Sequence, residues 1–84
     1  MKVKILTAQK KLIDEGAKEV ILPGVDGEIS VWDFHQPFLY VLGPGQIKVR
    51  IPVAPDRMQE RRFAIKRGIA KFQANILTVM VESF

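Results

Sequence analysis

The sequence predicts an all-β fold, a sandwich or barrel of short strands, and three observations predict it. Turn-forming residues at Pro23-Gly24, Asp26-Gly27, Gly43-Pro44-Gly45, Pro52, Pro55 and Gly68 cut the chain beyond residue 22 into short pieces. The segments between them carry β-branched residues in alternation. In Gln46–Ile51, Ile47, Val49 and Ile51 share one parity while Gln46, Lys48 and Arg50 share the other, the period of a half-buried strand. Hydrophobic residues make up 48% of the chain, enough for a core and too many for disorder.

Each element follows in order. Lys2–Thr7 alternates weakly, with Val3 and Ile5 on one face. Lys18–Leu22 places Val20 and Leu22 on one parity and Glu19 and Ile21 on the other. Glu28–Trp32 turns Ile29 and Val31 inward and Glu28 and Ser30 outward. Phe38–Leu42 and Ile76–Val81 are apolar on both parities, which predicts cover on both faces. Asp26-Gly27 and Ala74-Asn75 sit where tight turns join flanking strands. Asp56–Phe72 fits two templates. Met58, Ile65, Ile69 and Phe72 fall at helical spacing over a basic face, whereas Phe63 and Ile65 alternate with Arg62, Ala64 and Lys66 as in a strand; periodicity leaves both open. With 84 residues, and no repeat, linker or low-complexity tract, residues 1–84 read as a single domain.

Composition excludes several chemistries. The chain has no cysteine, which removes disulfides, thiolate metal sites and a cysteine nucleophile. His35 is its one histidine. The carboxylates are scattered, and Asp14-Glu15 reads as a solvated turn rather than an acid–base pair. Pro23–Gly27 is too short and wrongly spaced for a dinucleotide loop, and no phosphate loop follows. An enzyme and a bound cofactor are therefore not expected. The apolar runs Val20–Leu22 and Leu77–Val81 fall far short of the ~20 residues that span a bilayer, and the start lacks a secretory pattern. A cytoplasmic chain is expected, meeting membrane only through a partner.

The net charge of +4 permits an acidic partner. Arg57, Arg61, Arg62, Lys66, Arg67 and Lys71 cluster around Phe63 and Phe72, as in a small β-module that stacks bases on aromatics and holds phosphates with cations. The plainer reading is a solvated strand face over core phenylalanines. The loop Trp32–Pro37 carries three rings, Trp32, Phe34 and His35, a ligand site or, on the plainer reading, a lid on one end of the fold. His35 there serves as a hydrogen-bonding group that fixes the loop.

The order of these motifs resembles the N-terminal half of the epsilon subunit of F-type rotary ATP synthases. The matching elements are Pro23-Gly24, Gly27-Glu28, the strand Ile29–Trp32, His35 and Pro37, the apolar run Phe38–Leu42, Pro44-Gly45 and the strand Ile47–Ile51. Phe63-Ala64-Ile65, Gly68 and Asn75–Val79 resemble the family's closing segment. The chain departs from the pattern at Lys66-Arg67-Gly68, where a small residue and two glycines are usual. It departs again at Phe34, where a glycine often precedes the loop histidine, and Pro52–Glu60 has no clear counterpart. Family members usually continue into a C-terminal helical hairpin, which lies outside this sequence, so hairpin-dependent inhibition and nucleotide sensing are not expected of it.

The resemblance implies a flattened antiparallel β-sandwich of about ten short strands, with Arg61–Lys66 and Ile69–Phe72 as strands flanking a turn at Gly68. It implies a non-catalytic central-stalk subunit that binds the gamma subunit and the c-ring loops and couples ion translocation to ATP synthesis or hydrolysis. The location it implies is the cytoplasmic face of a bacterial inner membrane, as a peripheral part of the complex. By the same resemblance Asp26, Gly27, Glu28 and His35 face the c-ring, while Phe38 and Tyr40 face gamma. Nucleic-acid binding through Arg57–Lys71 is the alternative.

Overall fold

The computed structural model describes residues 1–83. They form eight strands: β1 Lys2–Leu6, β2 Lys11–Gly16, β3 Glu19–Gly24, β4 Gly27–Trp32, β5 Phe38–Leu42, β6 Gly45–Ala54, β7 Arg57–Gln73 and β8 Ile76–Ser83. The pairings group them into two layers that share β7. One layer runs β2-β1-β8-β7-β5, using the C-terminal half of β7. The other runs β4-β3-β6-β7, using its N-terminal half. All pairs are antiparallel except β1 with β8, which run parallel from Lys2↔Ile76 to Leu6↔Met80. The all-β architecture agrees with expectation, with fewer strands than the expected ten and one parallel pair.

The difference in number comes largely from β7. Residues 56–72 are neither a helix nor two strands about a turn. Drawn straight, this 17-residue strand would span about 53 Å at ~3.3 Å per residue, against a greatest dimension of 33 Å for the whole molecule, so it bends. The bend coincides with a register shift between Ile65 and Arg67, a bulge of the kind that sharpens local twist. Gly68 makes no turn: it pairs with Leu42 on one side and Val81 on the other. Pro52–Glu60 is likewise a hairpin, with β6 and β7 joined at Pro55-Asp56 and an irregularity between Pro52 and Ala54.

The core lies between the layers. Val3, Ile5, Ala70, Phe72, Leu77 and Val79 from one layer meet Val20, Leu22, Val31, Ile47, Val49 and Ile65 from the other, all buried. Each large side chain among them contributes roughly 1.5–3 kcal/mol relative to exposure. Asp14 and Glu15 belong to β2 rather than to a turn, because Asp14 is held in the strand between the Lys11 and Lys2 ammonium groups, each at 2.9 Å. Hydrogen bonding from Lys11, then from Lys2, lowers its carboxyl to about 2. A depressed carboxyl stabilises the fold above its ordinary pKa, and that contribution disappears as pH falls from about 4 to about 2. Asp14→Asn is therefore expected to lower the urea midpoint above pH ~4 and to match the parent near pH ~2, as equilibrium unfolding across that range would show.

Two turns carry the remaining constraints. The β3–β4 connection is Val25-Asp26, flanked by the Gly24↔Gly27 pair, one residue earlier than the expected Asp26-Gly27 turn. The β7–β8 connection is Ala74-Asn75, with φ of 54° and 58°, the left-handed pair that two-residue hairpins require. Asparagine tolerates this region, whereas alanine is strained there by about 1–2 kcal/mol. Ala74→Gly is expected to raise the thermal midpoint by a few degrees, because relief of that strain exceeds the roughly 0.5–1 kcal/mol entropy penalty of glycine.

Candidate partner interface

Strands β5 and β8, expected to be covered on both faces, are covered on one. Cross-strand register places Val41 opposite Ile69, Ile69 opposite Met80 and Met80 opposite Leu6. This row runs across four strands, about 14 Å at ~4.8 Å per strand, on the outside of its layer. Val41, Ile69 and Met80 are 58%, 50% and 49% exposed, and Leu39 beside them is 69% exposed. Val41, Ile69 and Met80 line a depression of about 800 Å³ with Thr7, Gln9 and the Arg67–Glu82 ion pair, which spans 2.7 Å. The neighbouring row is Leu39, Lys71, Thr78 and Lys4. Among the described residues neither lysine forms an ion pair.

The outside of the other layer is built differently. Ser30 Oγ donates to the Glu19 carboxylate at 2.5 Å. Arg50 lies 3.4 Å from Glu19 and 3.7 Å from Glu60, and Arg62 lies 2.7 Å from Glu60. That charged network is how a sheet face meets water. An apolar row on the opposite face is the kind of surface that marks an interaction site. The double-parity apolar pattern of β5 and β8 was its sequence signal.

The residues expected to meet partners fall into separate places. Asp26, Gly27 and Glu28 lie at the β3–β4 turn, exposed, and among the described residues neither carboxylate has an ion-pair partner. A depression of about 340 Å³ joins this turn to Tyr40 and Val41, so it is continuous with the apolar row. His35 lies beyond the other end of β4, with its ring edge-on to Phe38 at 5.2 Å and Phe72 at 6.1 Å. Its Nδ1 is 2.8 Å from the Gln36 carbonyl oxygen, the loop-fixing contact. Phe38 stacks on Phe72 at 5.7 Å and serves the core more than the surface. Tyr40, 4.7 Å from Phe38, is partly exposed. Of the loop expected as a lid, His35 packs against Phe38 of β5 and Phe72 of β7, whereas Trp32 and Phe34 project into solvent.

The basic cluster is dispersed. Arg62 lies on the outside of one layer and Arg67 and Lys71 on the outside of the other. Arg61 sits 5.4 Å over the Phe63 ring and 3.9 Å from Glu15. Arg61, Arg62 and Arg67 each face a carboxylate, so no continuous track for a phosphate backbone forms. Among the described residues no three histidine or carboxylate side chains converge as a metal site would need.

The two-layer β body carries one apolar outer row and a turn whose carboxylates have no ion-pair partner among the described residues, features typical of a surface that meets another protein. Over residues 1–84 the chain matches the β-sandwich domain of the ATP synthase delta/epsilon chain, and it belongs to that family, an accessory subunit without catalytic activity. It is 25% identical over 83 residues to the ATP synthase epsilon chain of Chromobacterium violaceum, covering 99% of this chain and 57% of the relative. It is 33% identical over 86 residues to the epsilon chain of a Synechococcus species, covering 99% and 56%. The chain thus spans a little over half the length of these relatives. Among solved structures it resembles a chain in the central stalk/c-ring of Tetrahymena thermophila mitochondrial ATP synthase, with a TM-score of 0.83, 21% identity, and 99% and 63% coverage. A chain of the Euglena gracilis mitochondrial enzyme gives a TM-score of 0.83 at 15% identity, with 94% and 48% coverage.

Proposed function

We propose that this domain is a non-catalytic rotor element of an F-type ATP synthase, seated in the central stalk between the gamma subunit and the c-ring. The observation that carries the reading is the exposed row Val41, Ile69, Met80 and Leu6 on a chain of this family. Gamma covers that row, with Tyr40 at its margin, and the Val25–Glu28 turn points toward the c-ring loops. The work is mechanical. A rigid body bound on two sides keeps gamma and ring in register, so that ion-driven rotation reaches the catalytic head. Affinity comes from the apolar row. A partly exposed ion pair at Glu28 adds only about 0–1 kcal/mol. In a bacterial cell this seat lies at the cytoplasmic face of the inner membrane, reached only through the complex.

The test is a calorimetric titration of the purified chain against gamma, the c-ring and the two together. One-to-one binding to gamma, tightened by the ring, is expected. Glu28→Gln should weaken the ternary complex by no more than about fivefold and leave binding to gamma alone unchanged. Absence of binding to either subunit, with salt-sensitive binding to single-stranded DNA, would overturn the reading.

A further inference from the structure

Beside the apolar row, the outside of the same layer carries positive charge that the chain does not neutralise itself. Lys71 of β7 and Lys4 of β1 lie in one cross-strand row, on either side of Thr78 of β8. Their backbones are about 10 Å apart at ~4.8 Å per strand. Each lysine is two residues along its strand from a member of the apolar row, Ile69 or Leu6, so the two rows run side by side. Directly opposite Lys4 on β2 stands Asp14, the cross-strand neighbour a lysine would pair with. Asp14 is engaged elsewhere: Lys2 holds one of its carboxylate oxygens and Lys11 the other, each at 2.9 Å. Glu82, on the same face, is held by Arg67 at 2.7 Å, with Lys66 also acting on it. Lys71 has Leu39 opposite it on one side and Thr78 on the other. Among the described residues, Lys4 and Lys71 are therefore left without an ion pair.

The fold gives these two lysines no task of its own. Lysine on an edge strand guards against stray pairing, but β1 lies between β2 and β8, and β7 between β8 and β5. On such interior strands lysine is a disfavoured residue. A partner that covers the apolar row also draws these ammonium groups out of water, and a charge desolvated without its opposite is costly. The covering surface therefore has to bring anions. A phosphate backbone or an anionic bilayer fits badly, because Asp14 and Glu82 lie on the same face and would meet it too. Bilayers are moreover recognised by clusters of about four to eight cations. Discrete carboxylates on a folded protein fit well. We propose that the gamma subunit meets this face with an acidic margin beside its apolar contact, one carboxylate over Lys71 and a second over Lys4. This rests on the rotor reading above. The apolar row supplies the affinity, while the lysine row sets the angle at which gamma is seated and speeds the encounter.

The test is binding kinetics of the purified chain against gamma at low and high salt. The variants are Lys71→Glu, Lys4→Glu and the double variant Lys4→Gln/Lys71→Gln. Arg57→Glu, at the exposed β6–β7 hairpin, matches the single reversals in net charge. If the proposal holds, each lysine reversal weakens binding about tenfold, mainly by slowing association. Binding by the parent weakens as salt rises, and the double glutamine variant loses most of that dependence. Arg57→Glu changes affinity by less than about twofold, and all thermal midpoints stay within a few degrees of the parent's. Parent-like affinity and salt dependence in the lysine variants would overturn the acidic margin and leave the rotor reading standing. Equal weakening by Arg57→Glu would reduce the effect to net charge and overturn it as well. So would a lowered midpoint in the lysine reversals, if the double glutamine variant bound like the parent. If the parent chain does not bind gamma at all, the rotor reading fails and the acidic margin with it.

Discussion

Gly68→Val is expected to abolish cooperative folding of this chain. A Cβ at Gly68 would stand 2.6 Å from the Met80 carbonyl oxygen, 3.2 Å from Val81 Cγ1 and 3.3 Å from Val81 Cα. The first and last are backbone atoms of β8, which is paired on its far side with β1, so they cannot move without dragging a second strand. On the other side Gly68 is paired with Leu42. Valine therefore meets an immovable wall, and overpacking of this kind costs upwards of about 3 kcal/mol. A domain of this size has only about 4–12 kcal/mol in all. Urea unfolding followed by circular dichroism should show no sigmoidal transition, or a midpoint far below the parent's. A parent-like midpoint would mean that β7 and β8 do not approach this closely.

Ile69→Asp is expected to do the reverse, sparing the fold and removing the partner. Ile69 is half in water already and faces away from the core, so its exchange changes stability by about 0.5 kcal/mol or little more. Against gamma the same carboxylate would be buried in the middle of an apolar row, and a charge desolvated without a partner is costly. Binding to gamma should fall by about thirtyfold or more, with Met80→Asp behaving alike because the two side chains are directly opposed. Calorimetry and thermal melts on the same samples separate the effects. Undiminished binding with an intact fold would place gamma on another face and leave this row unexplained.

What could be read from the sequence depended on how long a strand keeps one role. Gln46–Ile51 stays in one layer, and its alternation translated directly into buried Ile47, Val49 and Ile51. Val3 and Ile5, and Val31 with the partly buried Ile29, followed for the same reason. β7 changes role midway. Before the bulge its inward residues are Phe63 and Ile65; after it they are Ala70 and Phe72, on the opposite parity. That flip is why the segment fitted a helix as well as a strand. The apparent helical stripe mixed exposed Met58 and Ile69 with buried Ile65 and Phe72. β5 and β8 failed differently. Their apolar residues on both parities announced two-sided cover, but periodicity does not distinguish cover supplied by the same chain from cover supplied by another. The β3–β4 turn was legible in Asp26-Gly27, whereas its partner-facing role came from the resemblance to the epsilon family; its carboxylates emerged at the surface without an ion-pair partner among the described residues. His35, from the same source, emerged as part of an aromatic cluster.

The passage of β7 through both layers has a mechanical consequence. In an ordinary sandwich the two sheets meet only across side chains, and a sideways load is resisted by interdigitated methyl groups that can slip. Here a single run of peptide bonds crosses from one sheet to the other, with ladder hydrogen bonds on each side of the crossing. Sliding the sheets past each other would have to stretch covalent bonds or unzip two ladders together. The body is stiff in shear along that line, and amide protons on either side of the bulge should exchange with solvent in one concerted event.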